Sequence, residues 1–206
     1  MTTSALRRKG AEAVADVTGQ PVVRLKIDGA PIFAAFELNR AEHHRRVALN
    51  VGALTSTPLL HGLWLLPEGV PVPVTALPDV KVERLRSAPH SVAESDAGFE
   101  RLYSPAGVVR AVAFVGRDAT RAIERAIKFT PIHQRLVVVP NLPAIASRIE
   151  SMAREWGVGL IEVDAGSTRV RLPARRAEQG VPNVYRWWIA ELAYSSWLYE
   201  STQLVS

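Results

Sequence analysis

Hydrophobic residues recur along the chain at two spacings, and each spacing predicts a different kind of element. Residues 4–17 place apolar side chains three to four positions apart, which predicts an amphipathic helix. Residues 22–27 are β-like and lead through an Asp-Gly turn signal into a second β-like run, which predicts a β-hairpin. Helical spacing returns over 41–54, and the apolar segment 58–69 is compatible with either a strand or a helix.

A proline-rich segment separates this part of the chain from a more regular C-terminal part. Residues 67–90 contain five prolines, which we expect to prevent a helix and most central-strand pairings. The segment is therefore predicted to connect an N-terminal helix, hairpin and helix (1–66) to an α/β core with an aromatic C-terminal helix (91–206). One continuous domain is the alternative.

The C-terminal part alternates strands with helices. Residues 108–116 form an apolar strand run, and Asp118 is the predicted N-cap of a helix with one apolar face. The nearly all-apolar run 135–140 is typical of a strand inside a parallel sheet, and a helix and two further strands follow it. This order predicts an α/β fold with a mixed sheet flanked by helices.

Composition favours a polyanionic partner and excludes thiol chemistry. The chain has 206 residues, with 25 Lys and Arg against 20 Asp and Glu, and a net charge of +5. A basic balance favours nucleic acid, although an arginine-rich composition also follows from high genomic GC content. Without cysteine there are no disulfides, zinc-thiolate sites or cysteine nucleophiles. No signal-like segment or apolar run of about 18 residues occurs, so we expect a cytoplasmic protein without a membrane span.

The elements of 108–178 follow one another in a pattern that a known family also shows. They are the strand before Asp118, a basic helix, the strand RLVVVP, a helix that ends in GVGL, and the run VRLPARRAE. This pattern resembles the second half of PD-(D/E)XK, or restriction-endonuclease-like, domains. The resemblance implies a restriction-endonuclease-like core and a setting in DNA repair, restriction or mobile-element biology.

The residues that would do the chemistry of that family are missing from the matching strand. The family uses carboxylates at the ends of two paired strands to hold Mg²⁺, and a lysine beside them. The strand before Asp118 offers Ala113, Phe114 and Val115 instead, and none of these can ligate a metal. The resemblance therefore implies a degenerate domain that binds DNA without cutting it and needs no cofactor.

An active nuclease with a displaced site is the alternative. Glu37 and Asn39 lie two residues apart on a β-like run, so both would face one side of the strand. Asp28 precedes them on the partner strand and would complete a Mg²⁺ site. The competing interpretation is that Glu37 and Asn39 are simply the polar end of an edge strand that enters a helix.

Basic residues fall into groups that could contact phosphates. One group recurs every three to four positions and would form a stripe along the helix after Asp118. The other groups lie at the start of an earlier helix and after the last strand. An ordinary solvated helix face is the alternative for the stripe. The predicted nucleic-acid-binding residues are Arg45, Arg46, Arg117, Arg121, Arg125, Lys128, Arg171, Arg175 and Arg176.

Aromatic residues crowd the C-terminal segment. On a helix they would spread around most of the circumference, so one face can cover the core while others remain for a second surface. Core packing is the default, and a dimer contact or base stacking would use the remaining rings. The predicted interface residues are Tyr185, Trp188 and Trp197. A homodimerising interaction protein that does not bind DNA is accordingly the third functional hypothesis.

Overall fold

A computed structural model describes residues 1–88, 90–129, 134–142, 146–175 and 184–203. The chain divides into two compact units, and each is built from two separate segments. Unit 1 comprises Met1–Glu37 and Val109–Val181, and unit 2 comprises Leu38–Val108 and Pro182–Ser206. These units do not coincide with the predicted division at the proline-rich segment, because each unit combines an early segment with a late one.

Helices and strands are interspersed along the described parts of the chain. The helices are α1 (Thr3–Thr18), α2 (Arg40–Ala48), α3 (Thr57–Trp64), α4 (Asp79–Arg86), α5 (Ala119–Lys128), α6 (Ala146–Glu155) and α7 (Val184–Gln203). The strands are β1 (Val22–Ile27), β2 (Ala30–Leu38), β3 (Val92–Ser95), β4 (Gly98–Arg101), β5 (Gly107–Val115), β6 (Gln134–Val139), β7 (Gly159–Val163) and β8 (Thr168–Leu172).

One six-stranded sheet organises the main α/β arrangement. Its strands lie in the order β1-β2-β5-β6-β7-β8. The β1–β2 and β7–β8 pairs are antiparallel, whereas β5, β6 and β7 run parallel. Helices connect the parallel strands, as expected when successive strands run in the same direction. The predicted α/β class with a mixed sheet flanked by helices is therefore confirmed.

The sequence pattern explains why these strands form. Residues 23, 25 and 27 of β1 are buried and alternate with more exposed neighbours, which is the pattern of a sheet edge with one covered face. Asp28 and Gly29 have φ values of 49° and 77°, so the short turn to β2 uses the left-handed backbone that Asp-Gly favours. In β6, residues 136–139 are all buried, as expected for a central parallel strand.

Helices cover both faces of the sheet in unit 1. Leu6, Ala13 and Val14 of α1 pack in one cluster with Ala113 and other strand residues. Successive strand residues point to opposite faces, so Phe114 faces the other layer. There its ring packs edge-to-face against Phe129, which directly follows α5, at 5.8 Å between centroids.

Unit 2 has its own core, and its helices correct one prediction from the sequence and settle another that was left open. α4 lies within the proline-rich segment that we expected to exclude helices, since it begins immediately after Pro78 and ends before the next proline. β3 and β4 follow this segment and form an antiparallel hairpin. The ambiguous apolar segment is helical, because α3 buries Leu60 and Leu63 in the core of this unit.

The helix α7 closes the chain, as predicted, and contributes Val184 and Trp187 to the core of unit 2. The predicted helix over 41–54 is shorter in the structure and ends at Ala48. Within the described ranges, none of the helices combines the length and the apolar character that a membrane crossing requires.

Candidate nucleic-acid interface

The helix α5 separates apolar and basic residues onto two faces. Asp118 caps the helix, because its Oδ1 accepts a hydrogen bond from the backbone N–H of Arg121 at 3.1 Å. The buried side consists of Ala119, Ala122, Ile123 and Ala126. The exposed side carries the cations, whose spacing of three to four residues aligns them along one stripe. This basic stripe comprises Arg121, Arg125 and Lys128 of the helix, together with Arg117, which lies just before the N-cap.

Carboxylates neutralise the basic stripe only weakly. Arg121 lies 3.5 Å from Asp118, but the two side chains are 82% and 56% exposed, and such exposed pairs contribute about 0–1 kcal/mol. In the part of the chain that the structure describes, no carboxylate forms an ion pair with Arg125 or Lys128. Glu124 is also exposed, within one helical turn of Arg121 and Lys128, so this face carries four cations and two carboxylates and keeps a net positive charge.

A small groove adjoins the basic stripe. It has a volume of about 140 Å³, and its lining includes three arginines, one carboxylate and two apolar residues: Arg117, Arg121, Arg125, Asp118, Pro31 and Phe114. We call it the α5 groove. Its combination of guanidinium groups with apolar walls suits a phosphate that carries an attached ring or sugar.

The strand positions that correspond to the catalytic residues of the nuclease family hold apolar side chains packed in the core. Ala113 is fully buried, and Val115 packs against the same core cluster beneath α1. A Cβ added to Gly10 would lie 2.8 Å from Val115 Cγ2, so α1 approaches this strand closely. These positions offer neither a ligand nor room for a metal ion.

The structure does not bring together the residues of the displaced-site alternative. Asp28 lies in the turn before β2, whereas Glu37 lies near the other end of that strand. The carboxylate of Glu37 accepts a hydrogen bond from Arg110 Nε at 2.6 Å. Asn39 is the N-cap of α2 and accepts a hydrogen bond from the backbone of Glu42 at 3.2 Å. Across the described residues, no three histidine, aspartate or glutamate side chains cluster in a geometry that could hold a metal.

The remaining arginines predicted to contact phosphates differ in whether they form ion pairs with carboxylates of the chain itself. Arg171 lies 3.1 Å from Glu150 and 3.9 Å from Glu162, and its side chain is only 32% exposed. Arg45 makes two hydrogen bonds of 2.9 Å to Glu42. Arg175 is exposed. Arg176 lies outside the described residues.

Arg46 is a correction to the predicted interface. Its side chain is fully buried, so it cannot reach a phosphate in solution. The guanidinium donates to Glu191 Oε2 and Oε1 at 2.7 and 2.8 Å, to Glu42 Oε1 at 2.8 Å, and to the carbonyl of Ser104 at 3.0 Å. The position therefore belongs to the interior of unit 2 and not to a binding surface.

Glu191 completes this buried ion cluster, which the sequence pattern did not predict. Its carboxylate accepts hydrogen bonds from the backbone of Leu54 at 2.8 Å and from Trp187 Nε1 at 3.1 Å. The rings of Tyr103 and Tyr194 lie 4.1 and 5.0 Å from the Arg46 guanidinium carbon. The one signal in the sequence is that Glu191 lies among aromatic and apolar residues of a helix. A carboxylate buried there would need a cation as its partner.

Burial raises the pKa of Tyr103 to about 12 from an ordinary value of 10.0. Because the folded state favours the neutral phenol, stability is unaffected below about pH 10 and falls as the pH rises towards 12. We expect an alkaline titration of phenolate absorbance to contain a step near pH 12 that Tyr103→Phe removes. If the step persists in the variant, it belongs to another of the four tyrosines and this assignment is wrong.

The predicted interface residues of α7 are half-buried. The rings of Tyr185 and Trp188 lie 5.3 Å apart, and Trp188 also packs against the core of unit 2. Trp197 packs edge-to-face against His43 at 5.0 Å between centroids. Burial, together with the nearby His44, lowers the pKa of His43. Contacts inside unit 2 thus bury part of each of these three rings. A dimer contact through their remaining surface stays a prediction.

Charge is distributed unevenly between the two units. Unit 1 contains 17 Lys and Arg against 11 Asp and Glu, a net charge of +6, whereas unit 2 contains 8 against 9, a net charge of −1. No protein-family model, curated protein or solved structure matches the chain. The function must therefore be inferred from the chain's own residues, and the charge directs attention to unit 1.

Proposed function

We propose that the protein binds DNA through the basic stripe of α5 and does not cut it. The observation that carries the proposal is a helix whose buried face is wholly apolar and whose exposed face presents weakly neutralised cations. Phosphate contacts of this kind position a protein on DNA without reading its sequence. The net charge of +6 on unit 1 supports the same partner.

The order of elements adds support for a nuclease-like scaffold. β5, α5 and β6 form a parallel strand–helix–strand unit beside the β1–β2 hairpin, and the resemblance to PD-(D/E)XK domains implies such a core. In a relative of that family, Ala113 and Val115 would take the places of the catalytic acid and lysine. We therefore propose a degenerate domain, with a role in DNA repair, restriction or mobile-element biology.

Loss of two cations from the stripe tests the proposal. We expect Arg121→Gln/Arg125→Gln to weaken binding to a labelled duplex about tenfold at moderate salt, which is about 1.4 kcal/mol. The slope of log affinity against log salt should become less steep by about 1.8, since each phosphate contact on a duplex contributes about 0.9. Fluorescence anisotropy over a salt series measures both quantities.

The matched control is Arg148→Gln/Arg154→Gln. These two arginines are exposed on α6, which contacts α5 in the same unit, so the control removes the same charge from the neighbouring helix. It should change affinity by less than about twofold. Equal losses in both variants would mean that only total charge matters, and no binding by the wild-type protein at low salt would overturn the proposal.

A cleavage assay separates binding from catalysis. With Mg²⁺ or Mn²⁺ present, we expect the protein to leave single- and double-stranded DNA intact while still binding it. Metal-dependent cleavage that disappears in Glu37→Ala would instead support the active nuclease. That result would require Glu37 to leave its ion pair with Arg110 when DNA binds.

A further inference from the structure

A second basic groove lies on the opposite layer of unit 1. It has a volume of about 490 Å³, within the range of about 300–1,000 Å³ that small-molecule sites occupy. We call it the α1 groove. Its lining contains three arginines, two hydroxyl groups and no carboxylate, and it comprises Thr3, Ser4, Arg7, Arg8, Ala11, Arg24 and Phe33.

The local structure explains why the arginines converge. Arg7 is partly buried and lies two helical turns before the buried Val14, at the border of the buried face of α1, and Arg8 beside it is exposed. Arg24 pairs in register with Phe33 on the neighbouring strand, so both side chains lie on the face of the sheet that α1 covers. Two different elements therefore supply guanidinium groups to one space.

The chemistry of the α1 groove suits a phosphate with an attached apolar group. Arg8 and Glu12 lie 3.9 Å apart with side chains 76% and 63% exposed, so their pairing neutralises Arg8 only weakly. Guanidinium groups donate paired N–H bonds that match the oxygens of a phosphate. Phe33 and Ala11 provide an apolar wall beside these donors, as Phe114 does in the α5 groove.

A direct contact joins the surroundings of the two grooves. The side chain of Arg117, which lines the α5 groove, donates a hydrogen bond to the main-chain carbonyl of Met1, which precedes α1. α1 covers one face of the sheet and α5 the other. The grooves thus flank the same end of unit 1, and Arg117 lies between them.

We propose that a single DNA strand runs from the α5 groove around this end of the sheet into the α1 groove, where its phosphates bind Arg7 and Arg24. The inference rests on the proposed function and specifies that the bound DNA is single-stranded. Bending a duplex by about 40–90° over about 20–30 base pairs already costs free energy, and a path from one face of the sheet to the other requires a sharper turn. A single strand can make that turn, and the test uses lengths within the roughly 4–16 nucleotides that one OB-fold domain binds.

The test compares DNA length and form across two surfaces. Arg7→Gln/Arg24→Gln alters the α1 groove, and Arg121→Gln/Arg125→Gln alters the α5 groove. We expect the α1 variant to bind a single strand of about 16 nucleotides roughly tenfold more weakly, with a salt slope less steep by about 1.4. It should bind a strand of about 4 nucleotides, or a duplex, within about twofold of the wild-type affinity, because these ligands reach only the α5 groove.

The control for the α1 groove is Lys26→Gln/Arg148→Gln. Lys26 is exposed two residues beyond Arg24 on the same strand and does not line the groove, so the control loses the same charge. It should bind the long strand within about twofold of wild type. Far-ultraviolet circular dichroism and urea unfolding verify that the variants retain the fold.

The possible failures of the two proposals are distinguishable. If the α5 variant loses affinity and the α1 variant binds the long strand normally, the path into the α1 groove is overturned while the proposed function stands. Weakening of duplex and long strand by equal factors in the α1 variant would overturn the single-strand path. If neither variant differs from its control, both proposals are overturned.

Discussion

Replacement of Arg46 by alanine is expected to lower the free energy of unfolding by about 3–5 kcal/mol, the range for removing one partner of a buried ion pair. Glu191 is fully buried and would lose its cationic partner, while Glu42 would still have Arg45. A loss of this size is a large part of the about 5–15 kcal/mol that stabilises a typical domain.

Urea unfolding followed by tryptophan fluorescence measures this effect in the relevant unit. Four of the five tryptophans lie in unit 2, and Trp187 donates a hydrogen bond to Glu191 itself. The midpoint should fall strongly in the variant. If Arg46→Ala does not fold, the urea midpoint of Arg46→Met/Glu191→Gln is measured instead. This double variant removes both charges of the buried pair together.

Arg45→Ala is the matched control for the buried cluster. Arg45 is the adjacent residue and pairs with the same glutamate, but its side chain is 30% exposed. We expect it to cost less than about 1 kcal/mol. If the two alanine variants are equally stable, burial of the Arg46–Glu191 pair does not contribute the stability that we assign to it.

The contrast between Arg45 and Arg46 shows why sequence alone misplaced one of them. Adjacent residues on a helix point about 100° apart, so one can face solvent while the next faces the interior. The partner of Arg46 lies 145 residues later on α7. Nothing local in the chain indicates that α2 and α7 pack together, and therefore a buried cation looked like a surface one.

Elements whose cause is local were predictable. The Asp118 cap, the apolar face of α5 and the all-apolar β6 follow from short-range pattern, and the structure contains each of them. α4 was missed because prolines were weighed over the whole segment. Ten residues between Pro78 and the next proline at position 89 are enough for a helix, and proline is tolerated at a helix start.

The same distinction between local and tertiary causes applies to the two candidate binding surfaces. The basic stripe has helical periodicity, so the sequence indicates which residues share a face. The α1 groove has no such signature, because it depends on how α1 docks beside Arg24 and on the register that places Phe33 opposite that arginine. A site formed by two elements requires the tertiary structure before its residues can be grouped.

Gly98 is the first residue of β4 and lies where the backbone of the proline-rich segment packs against that strand. The backbone of Val72 exchanges hydrogen bonds of 2.8 and 2.9 Å with Phe99, the residue after Gly98. Gly98 itself has φ of 119°, a conformation that side chains disfavour. A Cβ there would lie 2.0 Å from the carbonyl oxygen of Val72. A segment predicted as a simple connector is thus held by a close backbone contact.

Substitution of Gly98 by alanine should therefore cost about 3 kcal/mol or more, from backbone strain of about 1–3 kcal/mol and overpacking of similar size. Gly69→Ala is the control, because Gly69 has φ of 69° with no atom within 4 Å of the added carbon. It should cost about 1–2 kcal/mol, from conformation alone. Urea unfolding compares the two. Equal losses would mean that backbone conformation alone, and not contact with Val72, requires glycine at position 98.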